Sequence, residues 1–209
     1  MYKKFLITGG SGFIGSNLVN FLLKKKHKVI NLDKMNYAST PDKYKYFTKN
    51  KNYRFYNKDI NQSQFVQKIF RENKIDGIFN LASQTHVDRS IDNPVNFIKE
   101  NIFSNLEFID QINFLYKKNF FSGKFVNIST DEVYGSVHGK ASSENFLLRP
   151  NSPYSASKAS IEHILRAYNM TFEMPFMNVR SCNNYGPYQF PEKFIPTIIL
   201  NILNKKKIP

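Results

Sequence analysis

A hydroxyl and two neighbouring carboxylates follow a short apolar run in the middle of the chain. Thr130, Asp131 and Glu132 come directly after residues 124–129, which read as a buried strand. Neighbouring side chains of a regular strand point to opposite faces, so the backbone must leave strand geometry if both carboxylates serve one site. Open parallel sheets place their ligands beyond the carboxyl ends of the strands. These three residues therefore predict a site that moves protons to and from a bound substrate.

A tyrosine and a lysine four residues apart form a second candidate pair. Tyr154 and Lys158 lie just after Ser152 and Pro153, a pair that is typical of a helix start. At this spacing on a helix, the phenol and the ammonium share one face. A Tyr and a Lys at this spacing are common by chance. This pair is significant because it follows a glycine-rich turn and the two carboxylates along the chain. Because a nearby cation favours phenolate, we expect Lys158 to lower the pKa of Tyr154 toward that of a general base.

Three glycines lie between the first predicted strand and the first predicted helix. Gly9, Gly12 and Gly15 have the spacing G-x-x-G-x-x-G, which lets a backbone approach a pyrophosphate at a helix N-terminus. Glycine-rich turns also serve as plain connections, so a second signal is needed. Asp33 supplies it by closing the next strand about 20 residues on, where an acid binds the adenosine ribose hydroxyls. A carboxylate there repels a 2′-phosphate, and the sequence therefore predicts a dinucleotide site that takes NAD rather than NADP.

The elements that must position these residues alternate between strand-like runs and helical periodicities. This alternation predicts βαβ units and a Rossmann-like, doubly wound parallel sheet of the α/β class. Predicted strands cover residues 4–8, 28–32, 53–56, 77–81, 124–129 and 176–180, and predicted helices cover residues 14–25, 62–71, 94–117, 153–170 and 194–203. Turn-forming residues follow the last strand. We expect an NAD-binding domain over residues 1–181, and over residues 182–209 the beginning of a second domain that the chain leaves incomplete.

Composition narrows the class of protein. With 209 residues, 41% hydrophobic residues and a mean hydropathy of -0.45, the chain fits one soluble α/β core. No apolar run approaches the roughly 20 residues that span a bilayer, and the first residues do not resemble a secretory signal. The single cysteine, Cys182, excludes an internal disulfide and is expected to be a small buried residue. No Cys/His cluster has zinc spacing, so we expect no metal and a cytoplasmic location.

The net charge of +14 raises the question of a nucleic-acid partner. The positive residues are mostly lysines spread along the chain, and none of their short runs is joined to a nucleic-acid-binding motif. We therefore expect a solvated, lysine-rich surface that binds neither nucleic acid nor membrane.

Taken together, these motifs resemble the extended short-chain dehydrogenases/reductases, and residues 183–187 (Asn-Asn-Tyr-Gly-Pro) add to the likeness. Within that superfamily the chain resembles the dTDP-glucose 4,6-dehydratase family in residues 130–132, 86–91 and 188–196, and the similarity runs over essentially the whole chain. The resemblance implies an NAD-dependent lyase of nucleotide-sugar metabolism, in dTDP-rhamnose biosynthesis. It also implies a homodimer packed through the helices near residues 94–117 and 153–170.

The resemblance implies a mechanism that the residues identified above can perform. Tyr154, assisted by Lys158, removes the proton of the sugar 4-hydroxyl while hydride passes from C4 to NAD. Glu132 then takes the C5 proton, Asp131 protonates the departing 6-hydroxyl, and hydride returns to C6. Thr130 hydrogen-bonds the sugar near its 4-hydroxyl. The two acids need opposite protonation states, and therefore environments that separate their pKa values.

The resemblance also implies two sets of binding residues. For NAD they are Gly9, Gly12, Phe13, Ile14, Gly15, Asp33, Lys34, Met35, Asn36, Asp59, Ile60, Leu81, Ala82, Ser83, Tyr154, Lys158 and Asn184. For the nucleotide sugar, dTDP-glucose, they are Thr85, Thr130, Asn183, Glu192 and Lys193.

Two positions depart from the family pattern. Gln84 stands where glutamate is more frequent, and Glu100 precedes Asn101 where threonine is usual. An extra carboxylate near the cofactor is expected to weaken NAD binding unless it turns to solvent. Two alternatives to the dehydratase interpretation stay open. One is a related nucleotide-sugar epimerase or decarboxylase, which would share the NAD site without needing Asp131 and Glu132. The other is an inactive NAD-binding fragment.

Overall fold

A single parallel sheet organises the chain. The computed structural model describes residues 2–40, 45–137, 139 and 141–208. Its strands are β1 (Lys4–Thr8), β2 (Lys28–Asp33), β3 (Tyr53–Asn57), β4 (Gly77–Asn80), β5 (Lys124–Thr130) and β6 (Phe176–Ser181). They pair in the order β3-β2-β1-β4-β5-β6, with every pair parallel. The predicted Rossmann-like sheet is confirmed, and each predicted strand lies within one residue of the observed bounds.

The helices connect the strands over both faces of the sheet. They are α1 (Phe13–Lys24), α2 (Ser63–Glu72), α3 (Val87–Asp92), α4 (Pro94–Ile98), α5 (Ser104–Lys117), α6 (Pro153–Phe172) and α7 (Phe194–Leu203). At the start of α6, the side chains of Ser152 and Ser155 form a reciprocal capping box and Pro153 occupies the first turn, as expected for this sequence.

Two helical features differ from the prediction. Helix α3 was not predicted, because its six residues are too few and too polar to show an apolar period. The predicted continuous helix over residues 94–117 is divided by a π-helical segment, Lys99–Phe103. Such π-bulges are frequent at functional sites, and this one carries Glu100 and Asn101.

Alternate residues of the central strands belong to two apolar cores. Leu6 packs in a core with residues of α2, α5 and α6, whereas its neighbour Ile7 packs on the opposite face with Val19 and Leu22 of α1. Strands buried on both faces require this continuous apolar character. The strand order changes direction between β1 and β4, which opens a crevice beyond the carboxyl ends of the strands.

The last described helix leaves its apolar side chains exposed. No residue of α7 is buried within the described structure, and Phe194 and Leu203 are 70% and 73% exposed. The predicted domain boundary between residues 181 and 182 stays a prediction. Within the described ranges, no helix combines the length and the apolar composition needed to cross a membrane.

Candidate active site

A cavity of about 420 Å³ occupies the crevice at the carboxyl ends of the strands. It gathers the predicted site residues from the glycine turn, the ends of β2, β4 and β5, helix α6 and the loop after β6. Every predicted site residue lines it except Met35 and Asp131. Met35 contributes its backbone instead, because its N–H donates to Oδ1 of Asp33 at 2.8 Å. Asp131 lies beside the cavity wall, where the hydroxyl of Thr130 donates to its Oδ1 at 3.4 Å.

The glycine turn brings the backbone of β1 close to the start of α1. Gly9 has a φ of +68°, which favours glycine, and a methyl group at Gly15 would overlap the carbonyl oxygen of Gly9. The helix therefore begins directly against the turn. Residues 12–15, at this helix start, line the cavity, and the free N–H groups of a helix N-terminus are suited to a pyrophosphate.

Asn31 supports this turn and was not found by sequence reasoning. The N–H of Gly10 donates to Oδ1 of Asn31 at 3.0 Å, while Nδ2 of Asn31 donates to the hydroxyls of Ser11 at 3.0 Å and Tyr53 at 2.9 Å. Asn31 is fully buried. A buried polar side chain within an apolar strand needs such partners, and its presence in β2 was the available signal.

Asp33 is held rigidly at the end of β2. Its carboxylate accepts hydrogen bonds from the N–H groups of Ser11 and Met35, both at 2.8 Å. Burial raises the pKa of Asp33, and the two backbone hydrogen bonds oppose that rise. An ionised carboxylate has about four lone-pair sites, so that of Asp33 can still accept from ribose hydroxyls. The glycine turn, the helix start and this fixed carboxylate together fit a dinucleotide of the NAD type.

The backbone leaves strand geometry where the two carboxylates begin. Thr130 ends β5 in an extended conformation, and a 3₁₀ helix, Asp131–Tyr134, starts at the next residue. The hydroxyl of Thr130 accepts from the N–H of Glu132 at 3.3 Å. As a result Glu132 lines the same cavity as Thr130. Burial, and then the charge of Asp131, raise the pKa of Glu132 against the opposing effect of Lys193. A carboxylate with a raised pKa is the stronger proton acceptor.

The expected effect of Lys158 on Tyr154 is wrong. Burial, followed by the charge of Glu132, raises the pKa of Tyr154 to about 12, although a hydrogen bond with Thr130 lowers it. Burial also lowers the pKa of Lys158 to about 8, with Glu162 opposing. Desolvation disfavours both charged forms, and the neighbouring carboxylates add negative charge at the phenol. Burial and the neighbouring carboxylates thus favour the neutral phenol of Tyr154 over its phenolate.

A buried ion pair lies behind Lys158. The carboxylate of Glu162, only 4% exposed, accepts from Nε of Arg180 at 2.9 Å and from Nη2 at 2.5 Å. The hydroxyl of Ser129 also donates to Glu162, and Nη1 of Arg180 donates to the hydroxyl of Tyr134 at 2.7 Å. The network joins α6 to β5, β6 and the 3₁₀ helix. It was not predicted, although an acid one turn beyond Lys158 in an apolar-patterned helix was a signal.

The loop after β6 is tied across the mouth of the cavity. Nζ of Lys193 donates to the carbonyl of Thr85 at 3.0 Å. Glu192 lies 3.6 Å from Nε2 of His86 and accepts from the hydroxyl of Tyr37 at 3.1 Å. The predicted substrate residues Asn183, Glu192 and Lys193 thus face the same space as Thr85.

Cys182 is exposed, so the expectation of a buried cysteine is wrong. The turn-rich loop that begins after β6 places the thiol in the cavity wall instead of the core. In the part of the chain that the structure describes, no group of three or more His, Cys, Asp or Glu residues is placed to hold a metal ion.

The lowered pKa of Lys158 gives a pH-dependent prediction. The ammonium is present below about pH 8 and is lost as the pH rises through that value. We expect any contact that needs this charge to weaken above pH 8, so NAD affinity measured by calorimetry from pH 6 to pH 10 should fall across that window. In the Lys158→Met variant the transition should disappear. A transition of equal size in that variant would contradict the assignment.

Comparisons with known proteins agree with the geometry of the site. Residues 6–209 match the family model described as GDP-mannose 4,6 dehydratase. The chain is 40% identical over 223 residues to dTDP-glucose 4,6-dehydratase of Salmonella typhimurium, covering 99% of this chain and 61% of that protein. It is also 40% identical over 218 residues to dTDP-D-glucose 4,6-dehydratase of Dictyostelium discoideum, covering 98% of this chain and 49% of that protein.

A solved structure gives the same result. The crystal structure of DesIV, a dTDP-glucose 4,6-dehydratase from Streptomyces venezuelae with NAD bound, superposes with a TM-score of 0.89 at 36% identity. The superposition covers 99% of this chain and 64% of that one. The chain thus spans about half to two thirds of the proteins that it matches, and over that span it belongs to the GDP-mannose 4,6-dehydratase family of Rossmann-like proteins.

Proposed function

We propose that the protein carrying this chain is an NAD-dependent dTDP-glucose 4,6-dehydratase, which converts dTDP-glucose to dTDP-4-keto-6-deoxyglucose. The observation that carries the proposal is that Glu132 and Tyr154 line one cavity. The glycine turn and Asp33, which fit a dinucleotide, line the same cavity. Oxidation of a hydroxyl needs only the phenol and the cofactor. A carboxylate facing the same substrate adds the removal of a carbon-bound proton, which is the step that elimination requires.

The cofactor site supports NAD as the bound group. The residues that would hold it are those of the glycine turn, Asp33 with its neighbours Lys34 and Asn36, Asp59 and Ile60 after β3, residues 81–83 after β4, and Asn184. When bound, NAD supplies the hydride acceptor and donor of the reaction. Crystal structures of similar dehydratases contain NAD, which supports this assignment.

The protein's own groups would handle the protons. Tyr154 is hydrogen-bonded to Thr130, and its phenolate form would take the proton of the sugar 4-hydroxyl. The positive charge of bound NAD would favour that form against the burial and the carboxylates that raise the pKa of the phenol. The 4-keto group that forms makes the C5 hydrogen acidic, and Glu132, with its raised pKa, is placed to take it. Asp131, next in sequence at the cavity edge, would return a proton to the departing 6-hydroxyl. The loop carrying Glu192 and Lys193 would keep the sugar over these groups.

The function can be tested by product formation. We expect the 209-residue chain to bind NAD. When the chain is joined to the remaining part of the Salmonella relative, we expect it to convert dTDP-glucose to a 4-keto-6-deoxy sugar, detected by mass spectrometry as loss of one water. Product formation by the 209-residue chain alone, assayed in parallel, measures the activity of the chain without the added part. A folded, NAD-bound joined protein that binds dTDP-glucose without forming product would contradict the proposal.

The same proposal includes the assembly and the setting of the protein. A homodimer packed through the helices of residues 94–117 and 153–170 is supported by exposed apolar side chains there, namely Val95, Phe103 and Met170. A cytoplasmic location, a role in dTDP-rhamnose biosynthesis and a substrate domain beginning at residue 182 also belong to this proposal. The exposed apolar residues of α7 support contacts to further substrate-domain structure.

A further inference from the structure

Lys34, which follows Asp33 in the chain, is bound by two carboxylates. Lys34, which lines the cavity, places its Nζ 3.0 Å from Oε2 of Glu100 and 3.2 Å from Oδ2 of Asp59. These three residues come from the end of β2, from the segment after β3 and from the π-helical segment. Glu100 and Asp59 raise the pKa of Lys34 although burial lowers it, so the ammonium is held in its charged form.

Gln84 contacts the same carboxylate oxygen of Glu100 as Lys34 does. Nε2 of Gln84 donates to Oε2 of Glu100 at 2.6 Å. The backbone of Gln84 is held in turn by Asn101, which accepts from its N–H at 2.8 Å and donates to its carbonyl at 3.0 Å. The two positions that depart from the family pattern thus touch each other. The side chain of Glu100 is exposed to solvent and is also directed at Lys34.

This arrangement determines the charge near the adenosine ribose of a bound cofactor. A site that accepts NADP offers a cation near the ribose to pair with the 2′-phosphate. Here the candidate cation, Lys34, is paired with Asp59 and Glu100, and the carboxylate of Asp33 lines the same cavity. A phosphate dianion entering this site would have to compete with Glu100 and Asp59 for Lys34 and would meet the charge of Asp33 as well.

We infer that Glu100 is a cofactor-specificity residue, which together with Asp59 occupies Lys34 and so excludes a 2′-phosphate. The inference rests on the proposed use of NAD and assigns part of the discrimination against NADP to a residue far from Asp33 in sequence. Glu100 is 44% exposed at its side chain, so its effect acts through charge at the cavity mouth and not through packing.

The test compares dissociation constants of NAD and NADP on the 209-residue chain by calorimetry. We expect Glu100→Gln to tighten NADP binding roughly tenfold, as the loss of one charge at contact distance in a partly solvated site predicts, while NAD affinity changes by less than about threefold. Glu107→Gln is the matched control, because it removes the same charge from an exposed position of α5 and should change neither affinity.

A second substitution shows whether the tighter NADP binding of Glu100→Gln depends on Lys34. Adding Lys34→Met to Glu100→Gln should remove the tighter NADP binding, and high salt should reduce it. Unchanged NADP affinity in Glu100→Gln, or a gain that persists without Lys34, would overturn the inference while leaving the proposed function intact. Wild-type chain that is folded and binds no NAD would contradict the proposed function and the inference with it.

Discussion

Glu132→Gln should stop the elimination of water while leaving oxidation of the 4-hydroxyl in place. The amide cannot accept the C5 proton, and loss of a general base typically costs about 10²–10⁴-fold in rate. The same substitution removes the negative charge that helps raise the pKa of Tyr154. The two halves of the reaction should therefore respond in opposite directions, with slower elimination and an unimpaired or faster first step.

Single-turnover absorbance of the reduced nicotinamide separates the two steps. In Glu132→Gln the reduced cofactor should accumulate with dTDP-glucose and persist, because the later return of hydride requires elimination. Glu144→Gln, which removes the same charge from an exposed loop position, should behave as the unmodified protein does. Full product formation by Glu132→Gln would remove the basis for assigning the C5 proton to this carboxylate.

Arg180→Met should cause the largest loss of stability of any single substitution considered. It leaves the Glu162 carboxylate buried beside Ser129 without its cation, and breaking a buried ion pair in this way costs about 3–5 kcal/mol. Because Glu162 lies on α6 one turn after Lys158, the same change should also loosen the helix that carries Tyr154. Urea unfolding followed by circular dichroism measures the free energy of unfolding directly.

The double variant Arg180→Met with Glu162→Leu provides the control. Replacing both members of a buried pair by apolar residues is often neutral or stabilising, so most of the lost free energy should return. A double variant as unstable as the single one would show that packing around Arg180, and not the unpaired carboxylate, carries the effect. A loss below about 1 kcal/mol in the single variant would place the pair among ordinary surface ion pairs.

The sheet and most of the cavity wall could be predicted because their signals are local. Strand-like runs, the glycine spacing and the Ser152–Pro153 helix start each depend on a few neighbouring residues, and each fixed an element to within about two residues. The break after Thr130 was also predictable, since two adjacent carboxylates cannot share a site on a regular strand.

The features that were missed depend on contacts between distant parts of the chain. The pair of Glu162 and Arg180 joins residues 18 positions apart, and Lys34 meets Glu100 across 66 positions. The pKa of Tyr154 was mispredicted for the same reason. The spacing to Lys158 was visible in the sequence, whereas the burial of the phenol and the nearness of Glu132 arise only when α6 packs against β5.

The fate of a deuterium placed at C4 of dTDP-glucose distinguishes dehydration from epimerisation by this protein. If the hydrogen removed from C4 is the one delivered to C6 after Glu132 and Asp131 have removed water, the label must appear in the C6 methyl group of the product. Mass spectrometry and NMR of the product of the NAD-loaded protein can locate it. Deuterium recovered at C6 is the predicted result. Deuterium returned to C4 with inverted configuration and no loss of water would identify an epimerase and contradict the account.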